Sequence, residues 1–377
     1  MARIWNKHKQ SNTPLKRKVF VGMSGGVDSS VSAYLLKKEG CDVTGVFIKV
    51  WQPDFVPCTW REDRLDAMRV CAHLGIPFVT LDLEKEYKEG VIDYMLAEYK
   101  AGRTPNPDVF CNKEVKFGAF LKWALKQGAD FVATGHYARV ARAAEERGHD
   151  ADKRRKLALL KGVDEGKDQT YFLWTLTQEQ LKYILFPVGN LKKTEVRKIA
   201  KGAGLITAEK KDSQGLCFIS NVNMKQFLKH FLPEKAGDIL NEGGEIIGIH
   251  KGALFYTIGE RHGLDISKKG LEDKPYYVVG KDISKNTITV SHKPTTNDSR
   301  LATYKISQIN LVNKSPKLNE KIEAQIRYHG ELYPCQIIEH RVFNNLAVQF
   351  EKPILISPGQ SIVFYDGEVC LGGGIIG

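Results

Sequence analysis

Ser24-Gly25-Gly26-Val27-Asp28-Ser29-Ser30 is the stretch whose reading decides the fold. Before it, Lys18 to Gly22 reads as a short buried strand. After it, Asp28 to Lys38 reads as a helix with Val27, Val31, Tyr34 and Leu35 on one face and Gly40 as its stop. A glycine turn between strand and helix lets backbone N–H groups come close to an anion, and the helix start adds unpaired donors and a positive dipole end. Ser24, Ser29 and Ser30 add hydroxyls. There is no Gly-Lys-Ser/Thr, so this is not a Walker loop, and no G-x-G-x-x-G, so a dinucleotide turn is not indicated. The segment is expected to bind phosphate, with Asp28 placed to help hold Mg²⁺. The plainer reading is a glycine turn with Asp28 as helix cap.

Outward from this loop, strand and helix alternate. Val43–Val50, Phe78–Leu83 and Phe131–Thr134 read as strands. Helices are predicted over Arg61–Leu74, with Leu65, Met68, Cys71 and Ala72 inward, over Val91–Tyr99, and over Asn112–Lys126, with Phe117, Phe120, Leu121 and Ala124 inward. Such alternation implies right-handed crossovers and an open parallel α/β sheet. Residues 139–156, rich in Arg, Glu, Lys and Asp, read as an exposed insertion. Two more helices are predicted at Gln178–Leu185 and Thr194–Ala203. Past about Asn221 glycines recur and strands shorten, with turn signals at Glu242-Gly243-Gly244 and Asp366-Gly367. The expected division is a basic tail (1–15), a catalytic domain (16–224), a small central domain (225–295) and a C-terminal β-barrel (296–377).

Hydrophobic residues make up 42% and charged residues 27% of the 377, a globular rather than a disordered balance. Apolar runs such as Val46-Phe47-Ile48 are far too short to span a bilayer. A net charge of +12 favours a polyanionic partner. The N-terminal basic tail lacks the apolar core of a secretory signal. Seven cysteines, widely scattered and never spaced C-x-x-C, argue against a disulfide framework and against zinc knuckles. A reducing, cytoplasmic setting is expected.

Two further segments carry chemistry. In Thr104-Pro105-Asn106-Pro107-Asp108-Val109-Phe110-Cys111-Asn112-Lys113 the prolines stiffen a helix entrance. Cys111 then falls near a helix N-terminus, where the dipole, with Lys113 and Lys116, lowers a thiol pKa. Asp108, one turn earlier, can exchange protons with a substrate. In Asp212-Ser213-Gln214-Gly215-Leu216-Cys217-Phe218 a glycine-containing loop carries one cysteine, a residue type more often buried and inert.

The glycine turn resembles the PP-loop of ATP pyrophosphatases. Taken together, the motifs resemble the tRNA-specific 2-thiouridylase family over nearly the whole chain. They include Gly22-Met23-Ser24 to Ser29, Gly102 to Asp108, Cys111 to Glu114, Ala133-Thr134-Gly135-His136-Tyr137-Ala138-Arg139, Gly166 to Leu173, Phe255 to Gly259, Tyr276 to Lys281 and Tyr365 to Gly374. The family reads Ser-Thr/Ser-Gly-Ile-Cys-Phe-Ile-Gly around its second cysteine, where this chain has Ser213 to Ser220. It commonly has Met where this chain has Ile48.

The resemblance implies a PP-loop α/β domain, a central domain and a tRNA-binding barrel. It implies ATP on Gly22, Met23, Ser24, Gly25, Gly26, Val27, Asp28 and Ser29, with Ile48 and Gly135 near base and sugar. It implies tRNA or base contacts at Asn106, Pro107, Asp108, His136, Lys167, Asp168, Gln169, Arg327, Tyr328 and Gln360. Taken singly, His136 would be read as a structural histidine, and Arg327-Tyr328 as surface. The implied reaction is ATP-dependent 2-thiolation of the wobble uridine of tRNA, by a monomer. Asp108 is acid/base, Cys217 carries a persulfide from a cysteine-desulfurase relay, and Cys111 resolves it through a Cys111–Cys217 disulfide. A rival scheme places an iron–sulfur cluster on Asp108, Cys111 and Cys217. Two other readings stay open: an amidotransferase-type synthetase that adenylates a small acceptor, and a non-catalytic tRNA-binding protein.

Overall fold

The computed structural model describes residues 16–56, 60–142, 156–212, 215–216, 219–220, 224–267, 274–293, 302–313, 315–341 and 345–377. The basic tail, Cys58, Cys217 and residues 143–155 of the expected insertion lie outside them.

The first sheet is built from β1 (Lys18–Gly22), β2 (Asp42–Lys49), β3 (Phe78–Asp82), β4 (Phe131–Ala133) and β7 (Ile184–Leu185). All neighbours are parallel, in the order β3-β2-β1-β4-β7. β1 is apolar without alternation because both its faces are covered. Phe20 packs with Val91, Phe117 and Phe120 of helices α3 (84–100) and α4 (107–126). Val19 and Val21 pack on the other face with α1 (Val27–Lys38), α2 (Trp60–Leu74) and α6 (Lys193–Gly202). From β1 the chain winds first to β2 and β3, then crosses to β4. The C-terminal end of β1 is therefore the switch point where such sheets open a ligand crevice. The Ser24–Ser29 loop lies there.

Several helix expectations need correction. On α2 the buried stripe is Ala67, Val70, Cys71 and Leu74, whereas Leu65, Met68 and Ala72 are exposed. Asp63 and Asp66, which continue that buried stripe towards the start of the helix at i, i+4 spacing, both bind Lys210. On α1, Tyr34 and Leu35 are only half-buried, and Ala33 and Leu36 take the inward places. The expected helix Gln178–Leu185 is one capped turn, α5 (Gln178–Leu181), after which Ile184 and Leu185 join the sheet beside Val132 and Ala133. α4 buries Phe117, Phe120, Leu121 and Ala124 as expected. It begins at Pro107, and its bonding is π-helical through Cys111–Phe120.

The expected insertion is also corrected. β5 (Ala138–Arg142) pairs antiparallel with β6 (Leu157–Lys161), and β6 continues onto the barrel strand β20 (Val369–Ile376) through Leu159 and Leu160. The charged residues between the two strands hid their pairing. Further on, β8 (Gly215–Leu216) pairs with β9 (Ile219–Ser220) on either side of residues 217–218.

α7 (Met224–Lys229) leads into a central mixed sheet of β10 (Gly237–Leu240), β11 (Ile246–His250), β12 (Asp265–Ile266), β13 (Tyr277–Asp282) and β14 (Thr287–Ser291). The last six strands are β15 (Thr303–Leu311), β16 (Lys321–Gln325), β17 (Leu332–Arg341), β18 (Asn345–Phe350), β19 (Ser361–Asp366) and β20. They run in the order β15-β18-β17-β16-β19-β20, and β15–β20 pairing closes the barrel.

Candidate active site

The loop is folded by its own hydroxyls. Ser24 N–H donates to Ser29 Oγ (3.2 Å), Gly26 N–H to Ser24 Oγ (3.3 Å), and the Ser29 and Ser30 hydroxyls to the Gly26 carbonyl (3.1 and 2.8 Å). Gly25 has φ +74, and a Cβ there would lie 2.3 Å from the Asp63 carbonyl oxygen. Only glycine fits this turn against α2. The helix cap is Gly26 and no side chain caps it, so Asp28 is not the N-cap and the α1 N-terminal donors face the crevice. Gly135 closes the other side, because a Cβ there would lie 2.7 Å from Ser29 N. Met23 and Ile48 are both buried in the cores flanking the sheet.

An ion-pair cluster that sequence reading missed sits on this loop. Lys193 Nζ is 2.8 and 2.7 Å from the two Asp28 oxygens and 2.8 Å from Asp212 Oδ1. Tyr137 donates its hydroxyl to Asp28 Oδ1 (2.7 Å). Lys167 and Arg197 also bind Asp212, at 2.8 and 2.9 Å. Burial pushes the Asp212 carboxyl up, but Lys167 and Lys193 more than cancel this and hold it at about 2. Burial and the Asp28 charge keep the Tyr137 phenol protonated. The one local clue was Lys193 itself, a cation at the first position of a helix, where the dipole disfavours it.

Asp108 and Cys111 share the first turns of α4, with Asp108 half-buried and Cys111 only 1% exposed. Asn112 beside them donates to the Asp108 and Phe172 carbonyls (3.1 and 3.4 Å). Lys113 pairs with Glu114, and Lys116 Nζ lies 3.4 Å from His136 Nε2. Cys71, Cys335 and Cys370 are buried thiols whose surroundings push them up to about 11, 12 and 12, so they are poor nucleophiles.

Tyr328, in the turn between β16 and β17, packs its ring against that of Phe172, with centroids 4.4 Å apart and the planes tilted by 46°. Burial, with Asp168 and Asp108 nearby, pushes its phenol up to about 12. The barrel thus places an aromatic beside the Asp108 turn, while Arg327 next to it is exposed. Three domains meet just before α4. Thr104 Oγ1 contacts Thr257 of the central domain and Ser357 of the barrel. Gln360 donates to the Thr104 carbonyl (2.8 Å), and Ser361 N–H donates to Asn106 Oδ1 (2.6 Å). Pro107 opens the helix.

The remaining expected contacts are held inside the protein. His136 is 7% exposed, 2.7 Å from Thr134 Oγ1, and burial with the Lys116 charge drives its pKa well below 6.5. Asp168 accepts from Gly162 N–H and the Thr170 hydroxyl. Gln169 accepts from Tyr137 N–H.

As arranged, Asp28 does not fit as a magnesium ligand, since Lys193 covers both its oxygens. For the iron–sulfur alternative, Cys217 lies outside the described residues, and no group of three His, Cys, Asp or Glu converges among the described ones.

Three family models match consecutive stretches: a tRNA methyl transferase HUP domain (17–221), a tRNA methyl transferase PRC-barrel domain (225–292) and an aminomethyltransferase beta-barrel domain (302–376). The tRNA-specific 2-thiouridylases MnmA of Listeria monocytogenes serotype 4a and Listeria innocua serovar 6a are each 48% identical over 367 residues, 95% of this chain and 94% of theirs. Among solved structures, the U34-tRNA thiolase NcsA of Methanococcus maripaludis with its [4Fe-4S] cluster covers 58% of this chain and 68% of its own at 21% identity and TM-score 0.34. A 4-thiouridine synthetase–RNA complex with bound ATP covers 58% of this chain and 50% of its own at 18% identity and TM-score 0.33. The model descriptions speak of methyl transfer and the curated relatives of thiolation. Near-complete coverage at 48% identity decides between them: this chain belongs to the tRNA-specific 2-thiouridylase MnmA family.

Proposed function

We propose that this protein is an ATP-dependent sulfurtransferase that replaces the C2 oxygen of the wobble uridine of tRNA with sulfur. Its near full-length likeness to the MnmA 2-thiouridylases carries this reading. The geometry supports it with a phosphate loop at the sheet's switch point and an Asp108–Cys111 turn that faces Tyr328 of the barrel.

The uridine leaves the anticodon stack, as chemistry on a base requires. Its O2 attacks the α-phosphate of ATP, the N3 proton passes to Asp108, and pyrophosphate leaves. A Cys217 persulfide, supplied by a cysteine-desulfurase relay, attacks C2. Cys111 thiolate attacks Cys217 Sγ, so the persulfide S–S bond breaks and its outer sulfur stays on C2. AMP is expelled, and a Cys111–Cys217 disulfide remains to be reduced. This exchange requires the two Cα atoms to approach within roughly 7 Å. Arg327 and Tyr328 serve the tRNA, and the enzyme works as a monomer in the cytoplasm. Among the described residues no helix is long and apolar enough to cross a membrane.

Mass spectrometry of tRNA nucleosides, after incubation with ATP and a persulfide donor, tests the reading. Cys111→Ser and Cys217→Ser are each expected to abolish 2-thiouridine while ATP and tRNA still bind. Full thiolation by either variant would refute the cysteine roles. Pyrophosphate release driven by a small acceptor and ammonia, rather than by tRNA, would favour an amidotransferase-type synthetase.

A further inference from the structure

We propose that Tyr365 is a positioning residue for tRNA: its hydroxyl ties the barrel turn that carries Arg327 and Tyr328 to the segment of the catalytic domain beside Asp108. The inference rests on the tRNA-thiolating reading and says how that site is held ready for its substrate. Residues of β19 alternate in direction. Ile362 and Phe364 belong to the barrel's own core, whereas Val363 and Tyr365 belong to the core that the barrel shares with the catalytic domain. Tyr365 is fully buried there. A phenylalanine would fill that place without a hydroxyl to take out of water. The hydroxyl is instead met by polar groups of both domains, Thr170 Oγ1 at 3.2 Å and Gln325 Oε1 at 3.4 Å. Counting protons gives its direction. Thr170 donates its own to Asp168 Oδ2 (2.7 Å), and Gln325 presents Oε1 because its Nε2 donates to the Gly330 carbonyl (3.0 Å). Both neighbours therefore accept, and the single Tyr365 proton is shared between the catalytic domain and the barrel.

Through Gln325 this chain reaches one end of the turn between β16 and β17, at Gly330. The other end is gripped by rings, since Tyr328 lies 4.4 Å from Phe172 and 6.4 Å from Tyr171. Both rings belong to the same short turn as Thr170. Between the two grips His329 has φ +56, a left-handed conformation that a residue other than glycine keeps when its surroundings enforce it. The Thr170–Phe172 turn is itself fixed to the start of α4, because Asn112 donates to the Phe172 and Asp108 carbonyls. Tyr365 thus sets where Arg327 and Tyr328 stand relative to Asp108 and Cys111 while touching no substrate itself.

The experiment measures, by calorimetry, the affinity of full-length wild type, Tyr365→Phe, Tyr328→Ala and the double variant for an unmodified tRNA bearing a wobble uridine, and separately for ATP. Loss of one neutral hydrogen bond is expected to weaken tRNA binding by roughly 3- to 10-fold in Tyr365→Phe and to leave ATP binding unchanged. In steady state KM for tRNA should rise and KM for ATP should hold. Added to Tyr328→Ala, the same substitution should weaken tRNA little further, because it acts through that turn. Unchanged tRNA affinity, full additivity of the two substitutions, or an equal loss of ATP affinity overturns the proposal, since a hydroxyl that only stabilises the fold does not single out tRNA. If Tyr365→Phe does not fold, Gln325→Met, at the half-buried end of the same chain, carries the same comparison. A wild type that binds tRNA in this Tyr365-dependent way but forms no 2-thiouridine would sink the thiolation reading and leave Tyr365 standing. Thiolation by wild type, with tRNA affinity unchanged in Tyr365→Phe, would do the reverse.

Discussion

The two regions flanking the candidate base site are held together by opposite means. Around the phosphate loop, Asp28, Lys193, Asp212, Lys167 and Arg197 form a chain of ion pairs. At the three-domain junction, Thr104, Asn106, Thr257, Ser357, Gln360 and Ser361 make only neutral hydrogen bonds. Ion pairs can be re-partnered by an incoming polyanion, and pH and salt act on them. Buried neutral bonds have no such substitute, and breaking one strands its partner. The difference teaches that the loop side answers to pH, salt and anions, whereas the junction beside Asp108 and Cys111 does not.

The comparison can be broken most sharply at Gly135. Gly135→Ala forces a Cβ to within 2.7 Å of Ser29 N and shifts the loop. ATP affinity, measured by equilibrium binding, should fall by about 100-fold, the scale of a misplaced site, with tRNA binding intact. Next comes the junction. Asn106→Ala leaves the Ser361 N–H without its acceptor and should cost about 1–3 kcal/mol in thermal unfolding. Thiolation should slow about tenfold while ATP affinity holds; a parallel loss of ATP affinity would erase the distinction between the regions.

Acid sharpens the contrast with a smaller effect. The folded-state pKa of Asp212, about 2, lies below its ordinary value of 3.8. Its contribution to stability is therefore complete above about pH 4 and lost as pH falls towards 2. Asp212→Asn should flatten that acid limb in pH-dependent denaturation, and Asn106→Ala should leave it unchanged. The smallest effect is expected at the exposed Arg327. Arg327→Ala should weaken tRNA binding several-fold and reduce the slope of log affinity against log salt by about one. An unchanged slope would remove Arg327 from the phosphate contacts.

Much of the catalytic half was legible along the chain. The strand–turn–helix around Ser24-Gly25-Gly26 and the inward stripe Phe117, Phe120, Leu121 and Ala124 follow from local periodicity and turn chemistry. Less legible was α2, where Asp63 and Asp66, bound to Lys210, share the face of the buried Ala67 and Val70 while the larger Leu65 and Met68 are exposed. The hairpin of β5 and β6 escaped notice because its register depends on the barrel strand β20, over two hundred residues later.

By itself the sequence determined where the phosphate loop sits, that the domain around it is a parallel α/β sheet, and which motifs tie the chain to its family. These are properties of neighbouring residues, set by backbone sterics and side-chain period. Only the tertiary structure decided that Lys193, 165 positions away, lies on Asp28, and that Asn106 is bound by Ser361, 255 positions away. Such pairs arise from how the elements pack, and no local preference of lysine or asparagine encodes which partner folding will bring.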